Sequence, residues 1–304
     1  MDRRPESRQA LLAFPESGRV EVPPEVAAEL FNAAEALPLY DNKDFYSPEL
    51  QLHVLAQIET ASESCFDWLV DMIRSCLTVR PYCALVRGLR FDAGNKLFVA
   101  VSRAFGELVA PPYAKPRAQL VHYIQPETDI ASKRGGRESE RLHTDAADWE
   151  APVDFVSMLC VRADRDGGGR SRILDVDAVR DAVKNCLGVA ALEKLETESV
   201  PWRLAPYRGG GVRWRPVLTE RTICWRRYTI ELARNSQAAG LSPKMLTLLD
   251  SFEQVVSSAP GTVDFLMREG ELLFSDNNRT IHARTPIGEG RSDRLMLRSW
   301  IKAA

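Results

Sequence analysis

Residues 141–149 read Arg141-Leu142-His143-Thr144-Asp145-Ala146-Ala147-Asp148-Trp149, and the reading of this stretch decides the fold. In an extended strand, residues i and i+2 point to one face, so His143 and Asp145 would stand side by side. An imidazole beside a carboxylate supplies two of the three ligands of a 2-His-1-carboxylate iron site. The bland alternative is a histidine at a strand end with an acidic neighbour, because the tripeptide is short and common. The metal reading needs a second histidine, and so a fold that brings distant strands together. Besides His143 the chain offers only His53, His122 and His282.

The segments after this stretch are rich in strand patterns. Val153 to Val161 is nearly continuous in apolar residues, Asp164 to Gly169 is a turn, and Ser171 to Val176 is a second strand. Two short helices, 176–187 and 189–198, lead into a strand-rich segment from Val200 to Ala233, within which Thr222 to Leu232 reads as strand-like. A helix from Ser242 to about Ser258 precedes the last β section, 263–266, 271–274, 280–284 and 294–301.

The segments before it are helical. Pro23-Pro24 introduces a helix over about 25–37, and a longer pattern from about Pro48 to Leu77 places Leu50, Leu52, Leu55, Ile58, Phe66, Leu69 and Ile73 at three- and four-residue steps. His53 falls inside that pattern and reads as a helix histidine. A short strand from Cys83, a helix over about 95–108 and an alternating strand from Ala118 to Pro126 follow, the last carrying His122 in a structural role. Helices early and strands late, with no repeat, indicate an α+β fold around an antiparallel β core. No linker marks a boundary, so 1–304 is expected to be a single domain, helical over about 1–115 with its β core at about 118–301.

Bulk properties narrow the function. Hydrophobic residues make up 45% and charged residues 27% of the 304, as in an ordinary soluble enzyme. The formal net charge of −2 provides no basic excess for a polyanion, so no nucleic-acid partner is expected. The six cysteines form no C-x-x-C pair and sit mostly in apolar runs, as reduced core residues do. The charged start, Met1-Asp2-Arg3-Arg4, leads into no long apolar run, so neither a signal peptide nor a membrane anchor is expected, and the expected compartment is the cytoplasm.

His282 is the remaining candidate for the third ligand. Gly270 to His282 reads as strand, polar turn, strand, and a hairpin returning antiparallel to the His143 strand would bring His282 to the pair. Such a site activates O₂ only if electrons are supplied, commonly by 2-oxoglutarate, whose far carboxylate wants a buried arginine. Arg294 lies twelve residues beyond His282, and its four-residue spacing from Arg298 puts both on one strand face. Two inward arginines are costly in a core unless they meet anions.

With these residues in view, the chain resembles the taurine dioxygenase and clavaminate synthase-like family of Fe(II)/2-oxoglutarate-dependent oxygenases. Three stretches carry the resemblance: Leu142 to Asp145 with Pro152 to Arg162; Gly167-Gly168-Gly169-Arg170-Ser171; and Asp276 to Thr285 followed by Arg294 to Arg298. They span residues 118–301 in the family's order. The resemblance implies a double-stranded β-helix, or jelly-roll, flanked by helices. It implies Fe(II), 2-oxoglutarate and O₂ as cofactor and co-substrates, with succinate and CO₂ released. It implies His143, Asp145 and His282 as the catalytic iron ligands, Arg294 as partner of the distal 2-oxoglutarate carboxylate, and Ser171, where Thr is commoner, as its hydroxyl helper. At the position of Arg298 several members meet an acidic group of the substrate; pairing with an internal carboxylate is the alternative. Many clavaminate-like members have Glu where this chain has Asp145, and members that halogenate lack the carboxylate, so Asp145 points to hydroxylation or a related oxidation.

The expected substrate is a small carboxylate-bearing molecule, an amino acid or an intermediate derived from one, with a sulfonate or aryloxy acid as the alternative. Desaturation, epoxidation and ring formation use the same ligands. A barrel that binds without catalysis is the competing class, against which stand both histidines, Asp145 and Arg294. Gln125, Trp149, Trp225, Arg226, Arg227 and Tyr228 are candidate pocket residues, and 127–140 and 206–220 are candidate lids.

Overall fold

In a computed structural model, residues 12–110, 120–125, 140–206, 209–236, 240–287 and 292–303 are described. Four helices come first: α1 (Pro24–Glu35), α2 (Pro48–Ala61), α3 (Ser64–Thr78) and α4 (Lys96–Arg103). The long helical pattern predicted over 48–77 is two helices, because Glu63 adopts a positive φ of 46° and the buried Ser62 hydroxyl donates back to the Ile58 carbonyl. The predicted helix over 95–108 ends early for a comparable reason: the chain turns at Gly106 and forms strand β3 (Glu107–Val109). In α3, Phe66, Leu69, Val70, Ile73, Cys76 and Leu77 recur at helical spacing and are all buried.

These helices cover one face of a seven-stranded sheet. Its order is β1 (Arg19–Glu21), β2 (Cys83–Arg87), β10 (Leu272–Asp276), β5 (Phe155–Arg162), β12 (Leu295–Lys302) and β3, with β4 (His122–Ile124) also on β12. Only β1–β2 is parallel. Alternation sorts the side chains. Ala84, Val86, Leu159, Leu272, Phe274 and Leu297 pack towards the helices, while Cys83, Leu85, Cys160, Leu273 and Met296 face the other way. Each large aliphatic or aromatic group fully buried here contributes about 1.5–3 kcal/mol.

The inner face meets a smaller sheet of β11 (Thr280–Arg284), β6 (Ser171–Asp175) and β9 (Val263–Phe265). Ile173, Val263 and Phe265 pack into the same inner cluster as Leu273 and Met296. On the far side of the small sheet, Leu174 and Ile281 join a second core with α5 (Val176–Leu187), α6 (Val189–Thr197) and α8 (Pro243–Ser257). A hairpin of β7 (Val200–Arg203) and β8 (Val212–Arg215) lies beside it. The run read as strand-like over 222–232 is extended only to Arg226 and then becomes α7 (Arg227–Asn235). Arg227, Thr229, Ile230 and Ala233 are buried at helical spacing, and Arg227 pairs with Glu231 one turn on at 3.0 Å. A packed helical face outweighed the alternating pattern. Among the described residues, no helix is long and apolar enough to cross a membrane.

Candidate metal centre

The centre is assembled at one junction of the two sheets. His143 and His282 form an isolated antiparallel bridge, each backbone N–H donating to the other's carbonyl at 2.9 Å. Residues directly opposed in such a pair point to one face, so both imidazoles enter the space between the sheets. Their ring centres are 4.7 Å apart. Asp145, two residues on from His143, joins them: His143 Nε2 is 3.6 Å from Oδ1 and His282 Nε2 is 3.7 Å from Oδ2. The donor atoms of the three residues lie within 4.8 Å of one another, and no other such trio of His, Cys, Asp or Glu occurs among the described residues.

The protonation pattern suits a cation. His143 Nδ1 lies 2.8 Å from the Arg141 carbonyl, which can only accept. Nδ1 therefore carries a proton, and Nε2 is the atom aimed at the centre. Burial holds His282 down at about 3 against the pull of Asp145, so its imidazole is neutral. Its buried Nδ1 has no hydrogen-bond partner among the described residues. Burial alone would raise the Asp145 carboxyl; the adjoining Arg298 guanidinium outweighs it and keeps the group well below the usual carboxylate range. Two imidazoles and one carboxylate form a donor set that fits Fe(II).

Asp145 is held tightly from behind. Its Oδ2 accepts from Trp300 Nε1 at 2.8 Å and from Arg298 at 3.1 Å. Its backbone is pinned by Asn277, which is fully buried: the side-chain oxygen accepts from Asp145 N at 3.0 Å, and Nδ2 donates to the carbonyls of Asp145 and Val153 at 3.1 and 2.8 Å. Neither Asn277 nor Trp300 was singled out from sequence. A buried asparagine in a tight turn between two strands was the available signal for the first, and the alternation Met296, Arg298, Trp300 along the inner face of β12 for the second.

Arg294 and Arg298 share that inner face, as their spacing predicted. Arg294 is buried and reaches the Gly169 carbonyl at 3.4 Å. Gly169 has φ +64°, and a Cβ there would come within 2.8 Å of Arg294 Nε, so the glycine turn is what admits the guanidinium. Ser171, two residues on, begins β6 and is buried. Arg298 meets an internal carboxylate, Asp145, and also donates to His122 Nδ1 at 3.2 Å. Burial and the Arg298 charge push His122 down to about 4, so it is a neutral acceptor. His53 is exposed on α2.

The other candidate pocket residues divide. Trp225 packs edge-on against Phe252 at 4.7 Å and Trp149 against Trp300 at 5.4 Å, both as core residues. Arg227 is turned away to Glu231 and Asp250. Gln125, Arg226 and Tyr228 are partly exposed. Of the candidate lids, 127–139 and 207–208 lie outside the described residues.

This fold and this centre define a class, the Fe(II)- and 2-oxoglutarate-dependent dioxygenases, which use O₂ as the second co-substrate. Residues 57–300 match the family described as "Taurine catabolism dioxygenase TauD, TfdA family", and the chain belongs to it. Similar solved structures include an asparagine oxygenase in complex with Fe(II), 2S,3S-3-hydroxyasparagine and succinate, at 17% identity and TM-score 0.69 over 94% of this chain and 93% of that one. The non-heme iron oxygenase OrfP, in complex with Fe and alpha-ketoglutaric acid, is similar at 18% identity and TM-score 0.67 over 94% of each chain. No curated protein matches the chain by sequence.

Proposed function

We propose that this dioxygenase hydroxylates an unactivated C–H bond of an amino acid or an amino-acid-derived intermediate. The observation that carries this reading is the convergence of His143, His282 and Asp145 on one buried point, with the His282 imidazole neutral and the carboxylate ionised. These three would hold Fe(II), which together with 2-oxoglutarate and O₂ supplies the oxidising power for such a bond. The amino-acid class is supported by the hydroxylated amino acids bound in two similar structures, 2S,3S-3-hydroxyasparagine and (3S)-hydroxy-L-Arg.

The chain's own groups do the rest. Arg294, buried and ringed by the Gly169 turn, takes the far carboxylate of 2-oxoglutarate, and the Ser171 hydroxyl adds a hydrogen bond to it. Arg298 adjoins Asp145 and takes the substrate's carboxylate beside the metal ligands. The two sheets serve as the halves of a double-stranded β-helix, and the N-terminal helices and this core act as a single domain. All six cysteines are free, which suits the reducing cytoplasm.

The test is a screen of amino acids and derivatives with Fe(II) and 2-oxoglutarate, read by mass spectrometry and by succinate release. Gain of one oxygen atom is the expected outcome; loss of two hydrogens would assign desaturation or ring closure at the same centre. Arg294→Ala is expected to weaken 2-oxoglutarate binding while sparing the metal. Iron and 2-oxoglutarate bound with no turnover of any amino acid would sink the proposal.

A further inference from the structure

The extended run ending at Arg226 docks directly beside the metal centre. Ile223 N donates to the Asn278 carbonyl at 2.8 Å, in the turn that leads to His282. Trp225 is tied to Thr144, the residue between His143 and Asp145, on two sides: Thr144 N donates to the Trp225 carbonyl at 2.7 Å and Trp225 N to Thr144 Oγ1 at 3.0 Å. Trp225 sends its ring behind the small sheet, onto Phe252. Arg226 is extended, with φ −159° and ψ 96°, so its side chain leaves on the opposite side from that of Trp225. That side carries His143, Asp145 and His282. Burial follows the same alternation, with Ile223 and Trp225 buried, Cys224 and Arg226 partly exposed.

The arginines around Arg226 are engaged. Arg298 holds Asp145, Arg294 the Gly169 carbonyl, Arg172 Asp264, and Arg227 Glu231 and Asp250. The Arg226 guanidinium has no hydrogen-bond or ion-pair partner among the described residues. A cation partly removed from water, beside a site whose one carboxylate is already balanced by Arg298, is an electrostatic debt that an incoming anion would cancel.

We infer that Arg226 is a specificity-determining anion anchor, and that the substrate is an amino acid whose side chain ends in an acidic group, carboxylate or phosphate. The inference rests on the amino-acid reading of the centre. Arg298 receives the α-carboxylate and Arg226 the side-chain acid, so the carbon between them is presented to the metal ligands. The planar guanidinium accepts either acid in two-point contact, and repels the cationic side chain of lysine or arginine.

Anaerobic calorimetric titration of the Fe(II)- and 2-oxoglutarate-loaded protein tests this. The probes are L-aspartate, L-glutamate and O-phospho-L-serine, each against its neutral counterpart L-asparagine, L-glutamine or L-serine. At least one acid is expected to bind about tenfold or more tighter than its counterpart, the size of one charge-assisted hydrogen bond. Which acid wins separates the carboxylate from the phosphate. Arg226→Gln is expected to erase that preference with 2-oxoglutarate affinity unchanged, Arg226→Lys to keep it, and Arg226→Asp to favour L-lysine or L-arginine. Neutral or basic amino acids binding best to the wild type, or a preference that survives in Arg226→Gln, would overturn the anchor and leave the amino-acid reading intact. No amino acid binding at all would overturn both.

Discussion

Trp300→Phe isolates one hydrogen bond at the metal centre. The indole Nε1–H donates to Asp145 Oδ2 at 2.8 Å, and the ring otherwise stands edge-on to Trp149 and beneath the Arg298 guanidinium, 4.9 Å from the ring centre. Phenylalanine keeps an aromatic face in that slot and loses the donor. A hydrogen bond to a charged acceptor is worth about 1.5–3 kcal/mol, and Arg298 still contacts the same oxygen, so the lower end applies. Spent on carboxylate orientation, that corresponds to a loss of roughly tenfold, at most a hundredfold, in divalent metal affinity. The smaller ring also leaves a void and costs about 1–2 kcal/mol of folding stability irrespective of metal. Co(II) titration followed by its visible absorption reads the first quantity, and thermal unfolding of the metal-free protein reads the second. Trp149→Phe is the control, because it disturbs the same aromatic pair without touching Asp145. Equal Co(II) affinity in wild type and Trp300→Phe, or an equal loss in both variants, would refute the orienting role.

Three further outcomes are expected. Gly169→Ala puts a Cβ where only 2.8 Å separates it from Arg294 Nε, at a φ of +64°; it should weaken 2-oxoglutarate binding and cost about 1–3 kcal/mol of stability, measured by calorimetry and urea unfolding. Asn277→Ala strips three hydrogen bonds from the buried backbone of Asp145 and Val153, and a loss of about 3–5 kcal/mol in chemical unfolding is expected, together with weaker Co(II) binding. His122 is held at about 4, below its unfolded value near 6.5. The unfolded chain therefore binds the extra proton first, and this group makes stability fall as pH drops from about 6.5 towards 4, by on the order of 2–3 kcal/mol. His122→Gln, which can still accept from Arg298, should flatten the unfolding free energy over that window; an unchanged pH slope would count against the buried neutral histidine.

Local chemistry carried much of this protein on its surface. Short apolar runs bounded by turns marked the strands 155–162, 171–175 and 272–276, because each buries residues on both faces of its sheet. His143 and Asp145 share a face simply because they are two apart, and Arg294 and Arg298 because they are four apart. What a strand-like pattern does not encode is a competing helical face: Arg227 to Leu232 looked extended and lies in a helix, since Arg227, Thr229, Ile230 and Ala233 find a core at helical spacing. Nor does it encode a single reversed φ, which split the 48–77 helix at Glu63.

The chain order alone therefore determined which residue types were available and which neighbours share a face. It took the tertiary structure to set His282 opposite His143, to bring Trp300 and Arg298 onto one oxygen of Asp145, to let Asn277 pin its backbone, and to leave Arg226 with no counterion among the described residues. Those are contacts between residues 81 to 155 apart in the chain, and no local pattern can specify them. They follow from sheet pairing and packing, which set the directions of side chains whose sequence neighbourhoods are ordinary.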